Sequence, residues 1–217
     1  MDFETSKNLG GIGAILMFIG IFPYISYFGI VELIGAILVL TALYSLGNYY
    51  KDSGIFNNAL YGVMAGIVGV VSAVAIGLTI VLPNIKDFLM TIFPSWNGDW
   101  STISSLSGMT PNTSNIAIGD VIPFISAAIV IFVILWIFAI IATFFVRRSL
   151  VRLSAKTNVG LFSTAGLLLL IGAFLVIVVG LGLILIWVAA LILAIAFFQL
   201  RPQPTQTATS PESQTQM

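Results

Sequence analysis

One charged side chain interrupts the apolar runs of this 217-residue chain, and it is Glu32. A carboxyl group placed in hydrocarbon is costly to keep, so such a residue is where proton or cation coupling is first sought. Other chemistry has little to draw on. The sequence contains no His and no Cys, which removes the imidazole and thiolate ligands of zinc, haem, copper and iron–sulfur centres. It also removes every Cys- or His-based nucleophilic mechanism. Ser72 and Ser126 lie in apolar segments without a base partner. Asp87, Asp99 and Asp120 are scattered over a polar region, a weak pattern for cation binding. Asp120 has a simpler account, since a carboxylate at a helix start satisfies free backbone amides. The expectation is therefore a non-enzyme with no cofactor, no metal and no catalytic residue. The net charge is zero and the eight basic residues form no stripe with interleaved aromatics, so nucleic acid is not an expected partner.

The elements that position Glu32 are membrane helices. Charged residues make up 7% of the chain and hydrophobic ones 59%. The charge-free stretches 8–31, 33–50, 53–85, 121–146 and 157–200 are each near or beyond the roughly 20 residues that cross a bilayer core of ~30 Å. The composition predicts an all-α, polytopic helical membrane protein with six transmembrane helices at about 9–22, 28–46, 59–82, 121–146, 161–179 and 183–199. Pro23–Tyr27, with a proline and two tyrosines, suits a turn at the membrane–water interface. Pro83-Asn84 is expected to stop the third span. Residues 84–118 form an external loop, whose Ile85–Phe93 part is amphipathic enough to lie along the interface. As a single helix, residues 160–200 would be ~60 Å long, so two spans reversing at Gly180-Leu181-Gly182 fit better. The polar tail 201–217 has nothing to bury and is expected to be disordered.

Six spans put both termini on one side, together with Lys7, Lys51, Arg147, Arg148, Arg152, Lys156 and Arg201, leaving only Lys86 opposite. The positive-inside rule makes that side cytoplasmic, in a cell membrane crossed several times. A five-span arrangement would strand only Arg201, so charge alone does not decide between them. The acidic start Met1-Asp2-Phe3-Glu4 does not fit a secretory signal, and the first apolar segment is expected to stay in the mature protein. The segment Arg147–Lys156 fixes topology and lies at the level of anionic headgroups. In this topology Glu32 sits about one turn in from the outer surface, within reach of Lys86 and the interface. An interfacial or structural role is favoured there over coupling. The outer loop carries a sequon at Asn112-Thr113-Ser114, either a glycosylation acceptor or a chance match in a Ser/Thr-rich stretch.

The pentapeptide Ile-Gly-Ala-Ile-Leu occurs at 12–16 and 34–38, and Ile-Gly-Ala-Phe-Leu at 171–175. The sets Phe3/Ser6/Gly13, Phe56/Ala59/Gly66 and Phe162/Ala165/Gly172 share one spacing that falls on a single helical stripe. Two accounts fit: three tandem helical hairpins, as in proteins built from internal repeats, or short matches in a chain rich in Gly, Ala, Leu and Ile. In the third segment Gly62, Gly66, Gly69, Ala73 and Gly77 offer a smooth helix-packing seam. Small residues matter there because lipid supplies no hydrophobic drive between helices.

Leu9-Gly10-Gly11-Ile12-Gly13-Ala14-Ile15-Leu16, Gly54-Ile55-Phe56-Asn57-Asn58-Ala59-Leu60 and Val159-Gly160-Leu161-Phe162, followed by Thr164-Ala165-Gly166-Leu167-Leu168, resemble an archaeal multi-pass membrane family catalogued as domain of unknown function 996. The resemblance covers most of residues 8–200 and implies a membrane location and an archaeal source. It brings no activity and no site residues. Residues and resemblance together lead to an uncharacterised membrane protein acting as a structural, accessory or assembly component through helix packing. Its partners are the lipid bilayer and other membrane proteins or a second copy of itself. The alternative is a small ion or solute transporter or channel with Glu32 as the candidate coupling residue.

Overall fold

The computed structural model describes residues 2–20, 29–114, 116–178 and 180–202. The proposed Pro23–Tyr27 turn and nearly all of the 201–217 tail lie outside them. The described chain is helical: α1 (Phe3–Gly20), α2 (Ile30–Tyr49), α3 (Ser53–Ile76), α4 (Leu82–Ile92), α5 (Ile118–Thr157), α6 (Leu161–Leu175) and α7 (Leu181–Phe198), with a π-helical turn Gly77–Val81 and a 3-10 helix Trp100–Gly108. Four helical stretches are long and apolar enough to cross a bilayer, Ile30–Tyr49, Ser53–Ile92, Ile118–Thr157 and Leu181–Phe198, while Leu161–Leu175 is apolar but shorter. The protein is thus an all-α, multi-pass membrane protein.

The third helix does not stop where proline was expected to stop it. Asp52 caps its start, accepting from the Gly54 N–H at 2.9 Å, and the helix runs on through the π turn and past Pro83 to Ile92. A proline inside an α-helix removes one hydrogen bond and crowds the carbonyl one turn earlier. The π turn widens the helix over those residues and absorbs the conflict. Helix α5 also overruns its apolar core, carrying Arg147 to Lys156 before Asn158 closes it at φ 56. The 161–198 stretch does divide in two, and Gly180 takes the reversal at φ 85, a conformation that a Cβ would disfavour.

The helices pack as three hairpins, α1 with α2, α3 with α5 and α6 with α7, and further contacts of α2 with α3, α5 with α6 and α7 with α1 close them into a ring. Each hairpin is held by glycines lying against the facing backbone. A Cβ built on Gly13 would sit 2.7 Å from the Gly35 carbonyl oxygen, and one on Gly35 would sit 2.6 Å from that of Gly13. In the third hairpin a Cβ on Gly172 would lie 2.9 Å from the Gly182 oxygen, and one on Gly182 would overlap the Gly172 oxygen and the Val176 nitrogen. In the second, Gly62 faces the Ala142 oxygen at 2.8 Å and Gly69 faces Phe138 at 2.6 Å. Gly66 and Gly77 do not join that seam, since nothing lies within 4 Å of a Cβ at either. Ala73 is half-buried.

Two tryptophans join the hairpins to one another. The Trp187 indole N–H of α7 donates to the Phe18 carbonyl at 3.1 Å, with the rings stacked 4.7 Å apart. The Trp136 indole N–H of α5 donates to the Ala173 carbonyl at 2.9 Å. Ala173 lies in the last turn of α6, where carbonyls have no partner within the helix. With no water in hydrocarbon, such groups need a donor from the protein. The buried core gathers at the opposite end, where Phe3, Leu46, Ile55, Leu150, Leu153, Phe162, Phe197 and Leu200 meet.

Gly182→Ala is expected to destabilise the protein by about 1–3 kcal/mol, because its Cβ meets backbone. Gly66→Ala, with open space before it, should be neutral or up to ~1 kcal/mol stabilising. Thermal unfolding in detergent separates the two. Trp136→Phe and Trp187→Phe should each cost about 1 kcal/mol by the loss of one interhelical hydrogen bond, read in the same assay. An unchanged midpoint in both would remove the capping account.

Candidate functional site

Glu32 occupies the first turn of α2, three residues after the N-cap Gly29, which has φ 76. A carboxylate there faces the free amides and positive end of the helix. The side chain is half-buried and folds over α1: a Cβ on the buried Gly20 would lie 2.7 Å from Cδ and 2.9 Å from Oε2 of Glu32. The same Oε2 lies 3.9 Å from a Cβ position at Gly29. Glu32 is therefore seated in the α1–α2 seam, against a glycine that leaves room for it. Lys86 lies in the segment between α3 and α5, its Cε 2.5 Å and Nζ 3.3 Å from a Cβ position at Gly98.

Six helices surround a cavity of about 170 Å³, lined by Met17, Val39, Ala59, Val146, Leu169 and Leu193 among others, with almost no polar surface. Glu32 is not among its lining residues. Buried polar side chains at the end that holds the chain termini are tied up in contacts to another helix or to their own helix's backbone. Ser6 Oγ donates to Ser45 Oγ at 2.6 Å, Ser149 Oγ to the Ile55 carbonyl, and Asn58 Nδ2 to the Gly54 carbonyl. Arg152 Nη1 pairs with Asp52 Oδ1 at 3.3 Å, binding α5 to the cap of α3. Among these pairs no hydroxyl faces a carboxylate or amine that could take its proton. Ser126 Oγ donates to the Pro123 carbonyl at 2.9 Å. Among the described residues no three Asp or Glu gather as a metal site.

The lobe between α4 and α5 is a small folded unit. Trp96 is 3% exposed, its indole donates to Thr102 Oγ1 at 3.1 Å, and its ring lies edge-on to Trp100. Asp99 caps the 3-10 helix by accepting from the Ser101 N–H at 2.9 Å. That bond, aided by the nearby Lys86, holds the Asp99 carboxyl below the ordinary carboxylate range. Asp120 Oδ2 accepts from the Ala117 N–H at 2.9 Å, as a carboxylate does in a helix's first turn. Asn112 is exposed; its N–H bonds the Ile92 carbonyl and its Oδ1 accepts from the Ser114 N–H.

The tryptophan contacts and the buried Ser149 were not legible in the sequence, and Ser6 stood out there only as a member of the Phe3/Ser6/Gly13 stripe. Each depends on which helix stands next to which, and no local spacing reports that. The pentapeptide repeat did mark Gly13, Gly35 and Gly172, the glycines at the hairpin seams.

No solved structure matches the chain. Over 182 residues, 82% of either chain, it is 28% identical to an uncharacterized protein, MJ1644, of the archaeon Methanocaldococcus jannaschii. The model of a family described as protein of unknown function (DUF996) matches residues 31–191. By that match, over well more than half of its length, this multi-pass helical membrane protein belongs to the DUF996 family.

Proposed function

We propose that the protein is a non-enzymatic accessory or assembly component of the cell membrane, acting through helix packing, with six crossings and both termini in the cytoplasm. The observation that carries this reading is the uncovered α3–α5 hairpin. Both helices run for 40 residues, and within their most apolar windows only 6% and 0% of residues are buried. Their outer halves extend past the rest of the ring, and the open positions at Gly66 and Gly77 leave room for a helix from elsewhere to approach. The apolar cavity, which Glu32 does not line, gives ions no polar path and argues against transport through this residue.

Extraction in mild detergent should bring down a second membrane protein or a second copy of the chain. Gly66→Val should weaken that association several-fold without lowering the unfolding midpoint. A solitary monomer at every detergent concentration would sink the accessory reading. Topology has its own test, helped by the absence of native cysteine. In intact cells, an impermeant thiol reagent should label Ser107→Cys, and should reach Thr5→Cys and Gln203→Cys only after lysis. Labelling of Gln203→Cys in intact cells would mean five crossings.

A further inference from the structure

The charge-free run of α5 ends at Val146 and three arginines follow within six residues. The run 121–146 is ~39 Å long as a helix, against a hydrocarbon core of ~30 Å, so Arg147 stands where headgroups begin. Arg147, Arg148 and Arg152, with Phe144 and Val151, line a hollow of about 290 Å³ on α5. Helical geometry puts Phe144, Arg148 and Val151 within about 60° of one another, with Arg147 and Arg152 on either flank. Both flanking arginines lean on the neighbouring helices. The Arg147 backbone and stem lie over Gly166 of α6, 3.2–3.3 Å from its Cβ position, and the Arg152 guanidinium lies over Gly54 of α3.

The charges of this hollow are not balanced. Arg152 has Asp52 as its partner, whereas neither Arg147 nor Arg148 has an ion pair among the described residues. Arg147 Nε is shielded from water and has no hydrogen-bond acceptor. A desolvated guanidinium N–H without an acceptor is unfavourable, and phosphate oxygens match its forked donors. Phe144 and Val151 are 46% and 40% exposed, an apolar floor beside the cationic rim. Positive-inside topology asks only for solvated arginines on one side. It does not account for a shielded, acceptor-less Nε or for the apolar floor.

We propose that this face of α5 binds the phosphate headgroup of an anionic membrane lipid. Arg147 and Arg148 contact the phosphate, Phe144 lies against the start of the lipid chains, Val151 lies beside the headgroup, and Asp52 fixes Arg152 at the rim. The full-length protein, purified in mild detergent, is tested by native mass spectrometry with phosphatidylglycerol and phosphatidylcholine. The wild type should retain phosphatidylglycerol roughly tenfold better, and R147Q/R148Q should reduce the preference to parity. R147K/R148K, which keeps charge but loses the fork, should fall between them. K7Q/R201Q, an equal loss of charge at the same end of the bundle, should behave as wild type. Equal retention of the two lipids by the wild type would overturn the proposal. So would an equal loss in K7Q/R201Q, or an R147Q/R148Q variant that unfolds and binds as wild type does. Displacement of the lipid by millimolar inorganic phosphate would reassign the hollow to a free anion.

Discussion

Helices in a bilayer gain nothing from hiding apolar side chains from one another, because the lipid is as apolar as they are, so close backbone approach has to supply the attraction. In this protein that approach is made by glycine against carbonyl. Gly13 meets Gly35, Gly62 meets Ala142, and Gly172 meets Gly182, one such contact in each hairpin. The rest of the ring rests on these three. They set the spacing at which Trp136 and Trp187 reach carbonyls of the next hairpin, and they bring together the helix ends that form the buried core.

Polar groups follow the same economy of position. Serine, asparagine and the Arg152–Asp52 pair lie at the end holding the termini, and each joins one helix to another or to its own backbone. At the opposite end, Glu32 is folded over Gly20 at the start of α2. A carboxylate in this place supports a helix start and fills a seam. It is the residue where function was first sought, and its surroundings describe a packing role.

Much of the architecture could be read from the chain because hydrocarbon imposes a length and glycine marks close approach. The apolar runs located the helices, and Gly180 marked the reversal before α7. The repeated Ile-Gly-Ala-Ile-Leu at 12–16 and 34–38 turned out to be two strips that pack on each other through Gly13 and Gly35. What could not be read depends on geometry between or within helices. Pro83 looks like a stop, but a π turn just before it lets the helix continue. Gly66 looks like part of a seam, yet nothing lies within 4 Å of a Cβ there, whereas one at Gly62, a turn earlier, meets the Ala142 carbonyl. The shielding of Arg147 depends on α6 standing beside it, which no local pattern encodes.

The contact between α1 and α7 has a consequence for how the chain is made. Over its described residues, Phe3–Gly20, helix α1 carries Glu4 and Lys7 and is not among the helices long and apolar enough to cross a bilayer. It is made before α7, which carries its stacking partner Trp187 and the aromatic Phe197 that packs over Gly10. Contacts between distant parts of a chain form late and expose partly assembled states in the meantime. The ring can close only after α7 has left the ribosome, so α1 rests on α2 alone until then. Biogenesis of this protein is therefore a wait of α1 for α7.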